Sequence, residues 1–142
     1  MTITSELDQL VESSRERSLS PKQLLELQSD ISALRYTLGE YLTRAEEKML
    51  SGKDRLDLHI VRSKFTLQAK MKGLTNVKAE DMVTDQEDTE LMRQSLIRAK
   101  VEYSGLKHKL LSSGDVLVSL AQRIKRSENE RITSAYQTGG RE

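Results

Sequence analysis

The sequence predicts an all-α protein: an antiparallel hairpin of two long helices, packed as a coiled coil and assembled into a homo-oligomer. Three observations predict it. Strong helix formers dominate the 142 residues, with one proline, at position 21, and seven glycines. Apolar residues recur at alternating steps of three and four over long stretches. Aromatics make up only 4%, with no tryptophan, which is too few for a thick spherical core but enough for helices zipped along one seam.

Residues 1–19 read as a flexible or weakly helical arm. Leu7, Leu10 and Val11 suit one short amphipathic turn, and the polar run from Ser13 to Ser18 then breaks the pattern. The hairpin is expected over 20–132. Ser20 is placed to cap a helix, and Pro21 fits its first position, where a missing N–H costs nothing. From there Leu24, Leu27, Ile31, Leu34, Leu38, Tyr41 and Ala45 follow the 3–4 rhythm. The rhythm continues less cleanly through Met49, Leu56, Ile60, Leu67, Met71 and Leu74, giving one helix over 21–72 with Gly39 and Gly52 as tolerated flaws or slight bends.

Gly73 suits a helix end. A single turn at 77–82 is the most that the break is expected to hold. Thr84 and Glu87 have the spacing of a capping box, and Asp85, Glu87, Asp88 and Glu90 would complement a helix dipole. A second long helix is expected over 85–131. Its seam is Leu96, Ala99, Tyr103, Leu106, Leu110, Ser113, Leu117, Leu120 and Ile124, weakened near Gly105 and at Ser112-Ser113-Gly114. Residues 133–142 read as a disordered tail. Off the seam, Leu25, Leu42, Leu50 and Leu58 on the first helix, and Ile97, Val101, Leu111, Val116 and Val118 on the second, form a second apolar set. One hairpin cannot cover both sets, hence the expected homo-oligomer.

Catalysis finds no support. There is no cysteine, and the two histidines, His59 and His108, lack a second ligand at metal-binding spacing. Phosphate-binding glycine loops, serine elbows and helical zinc patterns are missing, so neither enzyme activity nor a cofactor is expected. No apolar run approaches the roughly 18 residues of a membrane span. The first 17 residues lack the apolar core of a signal peptide. The expectation is a cytoplasmic protein with no membrane partner.

Charge is balanced overall at +1 but uneven along the chain. Between 53 and 78, Lys53, Arg55, Arg62, Lys64, Lys70, Lys72 and Lys78 stand against Asp54 and Asp57 alone. Six acids and no base follow over 79–90, then Arg93, Arg98, Lys100, Lys107 and Lys109 against Glu102. If 53–72 lies beside roughly 90–109, two basic stretches share one end and attract a polyanion. Phe65 is then a candidate to stack on an exposed base, or else a packing residue near the seam. The acidic stretch is a docking site for a basic partner or simply a helix N-terminus.

The length, the absence of cysteine, a first helix ending in a basic segment and a second helix with basic character resemble the phage UvsY-type recombination mediators. Leu67-Gln68-Ala69-Lys70-Met71-Lys72-Gly73 is similar to that family's basic DNA-binding stretch, with Lys70 the best single match and Lys64 and Lys72 its neighbours. The resemblance implies an oligomer that binds single-stranded DNA, contacts a RecA-like recombinase and a single-strand-binding protein, and has no active site. The residues alone leave open a coiled-coil adaptor, scaffold or inhibitor that binds no nucleic acid.

Overall fold

A computed structural model describes residues 2–139. The described chain is all-helical and without strands: α1 (Ile3–Ser14), α2 (Pro21–Lys70), α3 (Asn76–Thr84) and α4 (Glu87–Gly139). The expected all-α hairpin is present. Two compact units divide it, one formed by Met1–Tyr41 with Leu106–Glu142 and one by Leu42–Gly105.

The first unit contains α1, the start of α2 and most of α4. The arm expected to be flexible or weakly helical is a three-turn helix. Thr2 caps it, its hydroxyl accepting from the Ser5 N–H at 3.2 Å. Ile3, Leu7 and Leu10 share one face and pack on Leu24, Ile31, Leu38 and Leu120. That burial stabilises a helix too short to stand alone. Asp8 accepts from Lys109 Nζ at 2.7 Å, and the Ser14 carbonyl accepts from Arg123, so α1 runs parallel to α4.

Entry into α2 is a reciprocal capping box. The Gln23 N–H donates to Ser20 Oγ at 3.2 Å, and the Ser20 N–H donates to Gln23 Oε1 at 2.8 Å. Gly39 does not interrupt the helix. The predicted seam is buried at Leu24, Ile31 and Leu38 and half-buried at Leu27 and Leu34, while Tyr41 is exposed. The expected weak point at Ser112-Ser113-Gly114 is continuous helix. Arg35 Nε donates to Ser113 Oγ at 3.0 Å, and Arg35 Nη2 donates to the Leu110 carbonyl at 3.2 Å. A Cβ on Gly114 would stand 3.0 Å from that Nη2, so the glycine makes room for the guanidinium. Residues 133–139, expected as part of a disordered tail, continue α4, and 140–142 lie outside the described residues. No proline interrupts the chain beyond position 21, and helix can propagate from the packed part of α4.

The second unit contains the rest of α2, α3 and the start of α4. Lys48 meets Glu102, and His59 meets Thr89, so these segments of α2 and α4 run antiparallel. The core is narrow: Ala45, Leu56, Ala79, Val83, Leu96 and Ala99, with Thr89 fully buried among them. Helix α2 ends at Lys70, two residues before the expected end, and Met71 is exposed. Gly73 turns the chain at φ +82°, a left-handed conformation that glycine adopts without Cβ strain. Thr75 caps α3 by accepting from the Lys78 N–H at 3.3 Å. The expected single turn is thus a full helix that buries Ala79 and Val83, four residues apart. Thr84 belongs to α3 and does not cap the helix after it. Its hydroxyl faces Arg93 Nη2 at 3.4 Å, and α4 starts at Glu87 with Glu87, Asp88 and Glu90 in its first turn.

Leu38 is wholly buried in the first unit. Leu38→Ala is expected to destabilise that unit by about 3 kcal/mol, read by denaturant unfolding followed by ellipticity.

Candidate nucleic-acid interface

All seven predicted basic residues fall in the second unit. Lys53, Arg55, Arg62, Lys64 and Lys70 lie on α2, Lys72 in the turn and Lys78 on α3. At 3.6 residues per turn they do not share a face. Arg55 and Arg62, seven apart, line one flank of α2. Lys53 and Lys64, eleven apart, line the opposite flank. Lys70, Lys72 and Lys78 surround the turn at Gly73.

Lys64 is half-buried because α3 packs over it, and its Nζ lies 3.8 Å from Glu80. The other six are exposed, and none of them forms an ion pair among the described residues.

Only the start of the basic stretch of α2 lies beside 90–109 as expected. Gln68 Nε2 donates to Asn76 Oδ1 at 2.6 Å, Lys64 meets Glu80, and His59 Nε2 lies 2.9 Å from Thr89 Oγ1. From His59 onward the basic part of α2 therefore lies against 76–89, the acidic window, while its start lies against 90–109, with Gly52 facing Leu96 and Lys48 just before it meeting Glu102. The cause is α3. A break holding little helix would let α2 reach farther along α4, whereas α3 doubles back at once and places the acids first. Over 53–90 the chain carries seven bases and eight acids. Among the basic residues beyond that window, Arg93 is turned toward Thr84, and Lys109 is bound to Asp8 in the first unit.

The outer side of α2 carries the off-seam Leu50 and Leu58 singled out in the sequence, joined by Phe65 and by Val61, which the sequence reading missed. Leu50, Leu58, Val61 and Phe65 fall on one stripe opposite the buried Ala45 and Leu56, and Phe65 is 75% exposed. Phe65 is therefore not a seam residue. On α4, Ile97 and Val101, one turn apart, are 58% and 67% exposed. Of the nine off-seam residues singled out, only Leu42 and Val116 are half-buried, the other seven being exposed. Val61 and Phe65 were legible as the 3–4 continuation of Leu58.

Both histidines sit apart from any cluster that could hold a metal ion among the described residues. His59 is tied to Thr89, and His108 is exposed. No described helix is long and apolar enough to cross a membrane. No protein-family model, curated protein or solved structure matches this chain.

The Lys64–Glu80 pair is long, and its glutamate side chain is 61% exposed, so screening leaves it weak. Lys64→Gln is expected to change stability by less than about 1 kcal/mol, with the difference shrinking further in 0.5 M salt, read from paired thermal melts.

Proposed function

We propose that this chain is a non-catalytic helical module that works by association, first with copies of itself, as a coiled-coil adaptor or scaffold. The carrying observation is the exposed stripe Leu50, Leu58, Val61 and Phe65 on α2, with Ile97 and Val101 exposed on α4 of the same unit. Contiguous apolar side chains on a helix cost free energy in water until another helix covers them. The thin core beneath supports the same reading. Among the largest fully buried side chains, this unit supplies only Val83 and Thr89.

The test uses Leu58→Gln with Val61→Gln, which keeps helix propensity and removes apolar area. Solution mass by light scattering should fall toward the monomer while ellipticity is retained. A wild-type mass already equal to one chain defeats the reading.

A second reading is favoured by Phe65. This aromatic ring stands in solvent beside the Arg55 and Arg62 flank. A base stacked on Phe65, with its phosphates met by the arginines, is the arrangement of sequence-tolerant single-strand binders. In this reading the assembly is a single-stranded-DNA-binding accessory factor that helps a RecA-like recombinase and contacts a single-strand-binding protein, as a recombination mediator does.

Phe65→Ala is expected to weaken binding of a labelled single-stranded oligonucleotide by about 1–3 kcal/mol. Arg55→Gln with Arg62→Gln should lower the slope of log affinity against log salt by about 1.5. Both are read by fluorescence anisotropy, and wild-type affinity in both variants removes the DNA reading.

A further inference from the structure

A second basic site lies in the first unit, whereas all seven residues discussed above belong to the second. Where α1 ends, the chain and α4 enclose a groove of about 460 Å3. Its floor includes the half-buried side chains of Val11 and Val116 and the buried Leu120, and its charged lining is Arg15, Arg17, Arg123 and Arg126 with one carboxylate, Glu16. Within 11–17 and 116–126 the sequence places five bases, counting Lys125, against Glu12 and Glu16.

The four arginines are not equivalent. Arg123 donates to the Ser14 carbonyl and, at 2.6 Å, to the Glu16 carbonyl. It fixes the end of α1, and its charge faces neutral acceptors. Arg15 is 3.2 Å from Glu12 in a pair whose side chains are 71% and 74% exposed, where water screens it. Arg17 and Arg126 are exposed and form no ion pair among the described residues. The groove thus holds positive charge that its own carboxylates do not match.

Guanidinium forks suit carboxylates and phosphates alike. The floor decides between them. No aromatic lines the groove, so a nucleic-acid base finds no stacking platform. Aliphatic side chains do find complementary surface there. Residues 116–126 of α4 extend about 15 Å, the reach of roughly five extended residues.

We propose that this groove docks a short carboxylate-rich segment of a partner protein that carries aliphatic side chains among its acids. The site is independent of the α2 stripe, so self-association can fail while docking holds, and the reverse.

The test titrates the full chain into a fluorescein-labelled peptide, Asp-Glu-Leu-Asp-Glu-Leu-Glu, read by anisotropy at low and moderate salt. A peptide with glycine for both leucines and an oligothymidylate are the comparison probes. The expected result is tightest binding of the leucine peptide. It should weaken about tenfold in Arg17→Glu with Arg126→Glu, two guanidinium contacts being lost and reversed. Ellipticity and melting temperature check that the variant folds, and if it does not, Arg17→Gln with Arg126→Gln is measured instead. Equal binding of the two peptides, wild-type affinity in the variant, or preference for the oligothymidylate with loss in the same variant each overturns the proposal. The last outcome reassigns the groove to nucleic acid.

Discussion

A helix turned toward one neighbour hides only one side of itself, and the rest of this structure follows from how many neighbours each segment has. In the first unit α1 lies against the start of α2 and the later part of α4, so three helices share a core. Leu7, Ile31, Leu38 and Leu120 are all within 1% of complete burial there. In the second unit the inner face of α2 is built from Ala45, Leu56 and Gly52, with Leu96 Cδ1 lying 3.6 Å from where a Cβ on Gly52 would stand. Small residues let backbones approach closely but bury little area per residue. The larger side chains, Leu50, Leu58, Val61 and Phe65, were placed on the side where no helix of the same unit lies.

Polar groups set the alignment that an apolar seam leaves loose. A repeating 3–4 pattern is nearly degenerate to a seven-residue slide, since leucine meets leucine again. Arg35 removes that freedom in the first unit, because its guanidinium needs both the Ser113 hydroxyl and the Leu110 carbonyl, beside a glycine that leaves it space. His59 and Thr89 do the same in the second unit, where a slide would strand a fully buried hydroxyl. A residue that reads as a flaw in the heptad pattern, Ser113, is thus a register marker.

These contacts also explain what was legible in the sequence. Helical class, the Ser20-Pro21 start, the turn at Gly73 and the seam from Leu24 to Leu38 are local or periodic properties, and each can be read off a single stretch. The Gln23 half of the capping box was equally local and was there to be read. The helix at α1 was not, because its stability comes from the Leu24, Ile31, Leu38 and Leu120 side chains, remote in sequence from Leu7. The surroundings of the candidate basic residues were illegible for a related reason. Its seven residues were identifiable one by one, but their neighbours depended on whether 76–84 is helix. That in turn rests on Ala79 and Val83 finding a tertiary partner. Arg35 carries no sequence signature at all, since its role exists only once α4 lies across from it.

Charge completes the physical picture. The later part of the basic segment of α2 lies beside acids, the 53–90 stretch is nearly neutral, and the whole chain carries a formal charge of only +1. Copies of such a chain repel each other weakly at long range, and exposed apolar stripes can meet without an electrostatic barrier. A strongly basic surface would make the opposite compromise, gaining polyanion affinity while opposing self-association. Positive charge without an ion pair among the described residues includes Arg17 and Arg126 where α1 ends, the lysines around the turn at Gly73, and Lys53, Arg55 and Arg62 on α2. Balanced net charge with local arginine surplus therefore leaves apolar contact between copies unopposed while keeping a few fixed points where an anion would be favoured.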